Sequence, residues 1–133
     1  MNRSRIVTLL AIIIAALLLS ACGSGQSSAS DAPRIVEEYL NALVNKDVDR
    51  LSALSCAEWE PTALIELDSF QAVEARLEGL ACEQVGVDGS TALVVCQGKI
   101  IVTYNSENQE LDLSLRTYQV INQGGENLVC GYQ

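Results

Sequence analysis

The chain has 133 residues, with 8 Lys and Arg against 17 Asp and Glu, no His and a net charge of −9. Binding a phosphate backbone needs a basic patch, so this balance argues against a nucleic-acid partner. The missing His removes the commonest general base, the usual metal ligand and any Ser-His-Asp arrangement at once.

The chain opens with two basic residues, Arg3 and Arg5, and an apolar run from Ile6 to Leu19. That run is shorter than the ~20 residues of a spanning helix. Followed by the small residues Ser20 and Ala21, it has the form of a secretory signal peptide. The stretch Leu19-Ser20-Ala21-Cys22 resembles the lipobox of bacterial lipoproteins. The resemblance implies that diacylglycerol alkylates the Cys22 thiol, that residues 1–21 are removed, and that Cys22 becomes the new N-terminus. It places the protein at a cell membrane, lipid-anchored on the extracytoplasmic face. Buried acyl chains contribute ~0.8 kcal/mol per methylene, and two chains anchor a protein where one does not. From Cys22 onward six cations face all 17 anions, a net charge of −11. Anionic headgroups repel such a surface, so lipid and not charge is expected to hold it.

Residues 22–32 read as the lipidated Cys and a flexible tether, the Gly/Ser-rich stretch 23–30 reaching roughly 15 Å. Residues 33–133 are the size of one small domain, whose limited core would benefit from covalent ties. Asp31 is a candidate N-cap and Pro33 a first-turn residue of a helix whose apolar face is Ile35, Val36, Tyr39, Leu40, Leu43 and Val44. Asp47 can cap a second short helix carrying Val48, Leu51 and Leu54. Pro61 starts a third apolar turn through Leu64, Ile65 and Leu67. Residues 70–79 fit helical spacing through Phe70, Val73, Leu77 and Leu80. Their alternation of Val73, Ala75 and Leu77 with Glu74, Arg76 and Glu78 favours a strand.

Strand signals dominate the second half. Leu80 to Val87 leads into a hairpin signal, Asp88-Gly89. Between Thr91 and Tyr104 the even positions are apolar throughout, with Gly98 a point of bend or bulge. Residues 105–108 are expected to turn into a strand in which Leu111, Leu113 and Leu115 alternate with polar residues. A four-residue turn there sets Tyr104 opposite Gln109, Val102 opposite Leu111, Ile100 opposite Leu113 and Gly98 opposite Leu115, so that the apolar faces coincide. Gly124-Gly125 turns into the last strand and sets Gln119 opposite Cys130. Helices followed by an antiparallel meander predict an α+β domain, N-terminal helices packed on a curved antiparallel sheet.

With Cys22 assigned to lipid, Cys56, Cys82, Cys96 and Cys130 remain in an exported domain, where disulfides persist. None forms a CxxC pair, which argues against zinc. No metal or cofactor is expected. Cys96 and Cys130 share a face but lie two strand spacings apart, ~9.6 Å, beyond the ~7 Å limit of a bridge. A three-residue loop at residues 88–90 puts Cys82 opposite Cys96. The expected bridges are Cys82–Cys96 and Cys56–Cys130, the second closing a loop of about 75 residues and contributing ~3–4 kcal/mol.

The opening helix, with Glu37-Glu38-Tyr39-Leu40-Asn41-Ala42-Leu43 and the turn Asn45-Lys46-Asp47, resembles the NTF2-like superfamily in its small exported lipoprotein branch. So does the closing hairpin, Thr117-Tyr118-Gln119-Val120 through Gly124-Gly125-Glu126 to Cys130-Gly131, though Asn127-Leu128 stands where such hairpins commonly carry Trp. The resemblance covers roughly residues 33–133. It implies a cone of curved sheet around helices, a fold shared by isomerases, dehydratases, binding modules and assembly domains, so fold alone leaves the function open.

Proton-moving enzymes of this fold use a carboxylate base and polar donors in the cone. Asp112, Tyr39, Tyr104 and Tyr118 are the candidate parts here, with Trp59 a candidate rim aromatic. Asp112 is expected to face solvent, Arg116 to lie on the surface, and the tyrosines to serve chiefly as core. The expected function is a lipid-anchored, non-catalytic module binding a small apolar ligand or an envelope partner. The alternatives are a His-free enzyme with a buried ionisable group in the cone, and a spacer or assembly domain with a filled core.

Overall fold

The computed structural model describes residues 31–133. The expected signal peptide, the lipidated Cys22 and the Gly/Ser-rich tether lie outside the described residues. Among the described residues three helices precede five antiparallel strands, the α+β order expected. Among the described residues no helix is long and apolar enough to cross a membrane.

Helix α1 spans Ala32–Asn45 and buries Val36, Tyr39, Leu40, Leu43 and Val44, the three- and four-residue spacing of one face. Asp31 stands at its N-cap position, yet its backbone is already helical and its side chain makes no cap hydrogen bond. A capping side chain needs an extended backbone to reach the first free N–H groups. Asp47 has that backbone: it precedes α2 (Val48–Ala53) and accepts the Arg50 N–H at 3.0 Å. Helix α3 spans Glu60–Ser69 with Pro61 in its first turn. It buries Ala63 and Leu67, and the buried Phe70 ends it.

Strand β1 runs Glu74–Asp88, β2 Thr91–Tyr104, β3 Glu107–Asp112, β4 Thr117–Gln123 and β5 Glu126–Tyr132. The curved sheet has the order β1-β2-β4-β5, with β3 also on β2. One side of β2 pairs with β1 along its length. The other pairs with β4 over Thr91–Val95 and with β3 over Lys99–Tyr104. Ala92, Val94, Cys96 and Ile100 of β2 are buried and join α1 in the core.

Register holds two corrections. The β2–β3 turn has two residues, Asn105 and Ser106, both at positive φ, instead of four. Ile100 therefore meets Leu111 and Val102 meets Gln109, a slip of two positions that keeps the paired side chains of β3 on their expected faces. The expected strand at Leu111–Leu115 ends at Asp112; Leu113–Leu115 is one turn of 3-10 helix. Leu113 is buried and Leu115 exposed, so Leu115 does not pair with Gly98.

Both expected disulfides are present. Cys82 faces Cys96 with Cα atoms 4.0 Å apart, but not through a three-residue loop. The turn is the two-residue Gly89-Ser90, and an irregularity between Gln84 and Gly86 supplies the extra residue. Gly98 sits at the second irregularity of β1, between Glu78 and Ala81. Its φ is +97°, and a Cβ there would lie 2.5 Å from the Glu78 carbonyl, so only glycine fits the bend. Turn Gly124-Gly125 pairs Gln123 with Glu126 as expected, but a shift between Tyr118 and Val120 then sets Tyr118 opposite Tyr132. Cys56–Cys130 ties the end of the helical segment to β5, where the Cys56 N–H donates to Val129 O at 2.9 Å.

Candidate functional site

The space between helices and sheet is filled chiefly by apolar and aromatic side chains. At one end a polar group interrupts them. Tyr39 of α1 and Tyr118 of β4 are fully buried, with rings 6.4 Å apart edge to face. Tyr132 of β5 packs against Tyr118 at 5.5 Å and against Trp59 at 5.5 Å. The Trp59 indole N–H donates to the Tyr39 hydroxyl at 3.1 Å. Trp59 precedes α3 and lies against Gly131, where a Cβ would approach its ring to 3.4 Å.

Glu66 and Arg116 meet beside this aromatic group. The Arg116 guanidinium donates to Glu66 Oε1 at 2.8 Å and lies 4.2 Å over the Tyr132 ring. The Tyr132 hydroxyl donates to the same Oε1 at 3.3 Å. The second carboxylate oxygen, Oε2, is buried without a partner, as is the Tyr118 hydroxyl. Burial opposes the charge on Arg116, but the Tyr118 hydroxyl and Glu66 carboxylate beside it outweigh that and hold its pKa above the usual value. Burial pushes the Tyr118 hydroxyl up to about 12 against the pull of the guanidinium. Tyr39 is raised further by burial, with the Trp59 hydrogen bond opposing.

A cleft of about 230 Å³ opens at the pair. Phe70, Val73, Val102 and Leu111 supply apolar walls, and Glu66 and Arg116 supply charge. A larger hollow of about 360 Å³ lies beside Arg34, Glu38 and Arg50, but both of its guanidiniums are engaged by Glu38. Among the described residues no group of His, Cys, Asp and Glu could hold a metal ion.

Of the expected pocket residues, Tyr39, Tyr118 and Trp59 come together. Tyr104 does not: it stands at the end of β2 before the Asn105-Ser106 turn, 56% exposed. Asp112 is exposed as expected and accepts from the Ser114 N–H and hydroxyl, which hold its carboxyl below the usual range. Arg116 is not the surface residue its alternation with Leu115 suggested. The 3-10 turn resets the alternation, so Arg116 shares parity with the buried Tyr118 and Val120. Glu66 and Tyr132 enter the site without a motif that marks them in the sequence. The signal for Glu66 was its place three residues after buried Ala63 on α3, which turns it toward the sheet. No family model, curated protein or solved structure matches this chain.

Proposed function

We propose that the protein is a lipid-anchored, extracytoplasmic module with an NTF2-like cone as its body, and that it binds a small, largely apolar molecule without catalysing its conversion. The observation that carries this reading is the cleft of about 230 Å³, walled by Phe70, Val73, Val102 and Leu111. Pockets for drug-sized ligands start near ~300 Å³, so the cleft suits one ring or a short chain. The lipobox resemblance at Cys22 supports the anchor. Against catalysis, the carboxylate beside the cleft already holds a guanidinium and a phenol on one oxygen, and the chain has no His.

Two measurements test the reading. Cells making the wild type should incorporate radioactive palmitate, and cells making Cys22→Ser should not; equal labelling overturns the anchor. Methylcyclohexane added to the isotope-labelled protein in lipid nanodiscs should shift the amide resonances of Phe70, Val73, Val102 and Leu111. Shifts elsewhere or none overturn the binding site. A second reading, proton transfer by Glu66, is favoured by its unpartnered Oε2. It requires Glu66→Gln to abolish turnover of a ligand that the variant still binds.

A further inference from the structure

We propose that the hollow beside Arg34 and Arg50 docks on the bilayer that carries the anchor, seating the phosphoethanolamine headgroup of a neighbouring lipid. This rests on the lipid anchor proposed above and adds which face of the domain meets the membrane. The hollow, of about 360 Å³, is lined by Asp31 and by Arg34, Ile35 and Glu38 of the first turns of α1. Nine peptide steps (residues 22 to 31) separate Asp31 from Cys22, and fully extended they reach about 30 Å. An acylated Cys22 therefore keeps this end of the domain within that distance of the headgroups. The ligand cleft lies toward the other end of α1. There Lys46, at the C-cap, donates to the carbonyl of Val73, a wall of the cleft, at 2.8 Å. The 14 residues of α1 separate the two ends by ~21 Å, so docking through the hollow turns the cleft away from the bilayer.

The charges of the hollow select the headgroup. Arg34 and Arg50 engage different oxygens of Glu38, so one carboxylate holds two guanidiniums side by side. Their side chains are 59% and 52% exposed, and a guanidinium has five N–H groups, so both keep donors within reach of a phosphate. Asp31 and the exposed Glu126 bring the lining to two cations and three anions. A lone anion would confront that surplus, and a lone cation would leave the arginines unused. A zwitterion answers both signs without adding charge: its phosphate lies on Arg34 and Arg50, its ammonium on Asp31 or Glu126. A primary ammonium donates three hydrogen bonds to carboxylates, where a quaternary one donates none. An anionic lipid brings no cation, and its surface repels a chain of net charge −11 beyond Cys22. Exposed ion pairs are individually weak, but a short tether raises the local concentration of headgroups enough for weak contacts to act.

The test places the isotope-labelled, acylated protein in nanodiscs of phosphatidylcholine, alone or partly replaced by phosphatidylethanolamine or phosphatidylglycerol. Each disc carries a trace of lipid with a spin label on its headgroup. Intact mass first reads the acyl chains on Cys22, so a missing anchor is seen there and overturns both readings. Docking is then read as broadening of the Ile35, Glu38 and Leu128 amides relative to those of Val102 and Leu111. Phosphatidylethanolamine should raise that ratio about fivefold over phosphatidylcholine alone, as two exposed ion pairs imply. Phosphatidylglycerol should not raise it, and added salt should erase the gain. Joint Arg34→Gln and Arg50→Gln replacement, at two exposed positions, should keep the anchor and lose the gain. Strongest broadening at Val102 and Leu111, or equal broadening everywhere, overturns the docking face and leaves the anchor standing. Phosphatidylglycerol acting as well as phosphatidylethanolamine overturns the zwitterionic headgroup, as does a gain that survives in the folded double variant. If that variant unfolds, the lipid dependence of the wild type decides.

Discussion

The backbone N–H of Cys82 donates to the side chain of Glu37 at 2.9 Å, joining β1 to α1 across 45 positions of the chain. Strand β1 is an outer strand of the sheet, so a bond to the helix satisfies a group that no neighbouring strand can reach. The same bond shows that the Cys82 N–H turns away from β2. Cys82 and Cys96 then form a pair without mutual backbone hydrogen bonds, the kind that brings Cα atoms closest and admits a disulfide. Glu37→Ala should cost about 1–3 kcal/mol and speed hydrogen exchange at the Cys82 amide; Glu37→Gln, which keeps an acceptor, should cost less. Exchange at Cys82 that is unchanged in Glu37→Ala would refute the helix's role in protecting this edge.

Two glycines on facing strands should respond unequally to alanine. Gly98→Ala places a methyl 2.5 Å from one carbonyl and 2.6 Å from the Gly79 backbone, at a φ alanine avoids. A loss of about 3 kcal/mol or more is expected in urea denaturation. Gly86→Ala meets only a Leu93 methyl at 3.9 Å and should change stability by about 0.5 kcal/mol or less.

Removing the hydroxyls of the two buried tyrosines should separate a bond from an orphan. Tyr39→Phe strips Trp59 of its acceptor and should cost about 1–2 kcal/mol. Tyr118→Phe removes a buried hydroxyl that makes no well-formed hydrogen bond but lies beside the Arg116 guanidinium, and should cost less than Tyr39→Phe. Paired denaturation curves decide the order.

Alkaline pH should unfold the domain through the same residues. Burial raises the pKa values of Tyr39, Tyr118 and Tyr132 in the folded state. A raised folded value means the neutral phenol is favoured by folding. That stability is whole below the unfolded value near 10 and is lost as pH climbs through the folded values. Tyr118 alone, moving from 10.0 to about 12, accounts for roughly 3 kcal/mol. Tyrosinate absorbance should therefore rise together with loss of circular dichroism above pH ~10. Ionisation of all four tyrosines with the fold intact would contradict the burial.

The two disulfides should differ in worth. Cys56–Cys130 spans 74 positions and Cys82–Cys96 spans 14. Chain entropy assigns about 4 kcal/mol to the first and about 3 kcal/mol to the second. Paired Cys→Ser replacements compared by urea midpoint should show the larger loss for Cys56 and Cys130.

Much of this architecture follows from spacings within a few residues. Asp47 before Val48-Asp49-Arg50 is a cap whatever surrounds it, and the alternation in Thr91–Val95 names its buried face without reference to a partner strand. The disulfides could be paired because strand separation excludes Cys96–Cys130 and the hairpin at residues 88–90 sets Cys82 opposite Cys96, a register that the shorter turn and the extra residue of β1 together preserve. The turn after Tyr104 is expected at twice its length because Asn105-Ser106 lacks the glycine that usually marks two successive positive φ angles. The shift between Gln84 and Gly86 escaped because an extra residue in a strand leaves no compositional trace.

Local pattern therefore carries the helices, the strands, the Cys82–Cys96 hairpin pairing and the hydrogen-bonding needs of each segment, since these arise between neighbours along the chain, and Cys56–Cys130 follows from them by elimination. The meeting of Glu66 with Arg116, 50 positions later, and with Tyr132, 66 positions later, is of another kind. It depends on where α3 lies over the sheet, on a single turn of 3-10 helix that inverts the facing of Arg116, and on a slip in the β4–β5 ladder that brings Tyr132 across from Tyr118. Each is settled by how whole elements pack, and packing energy is shared among many distant contacts that no short window of residues contains.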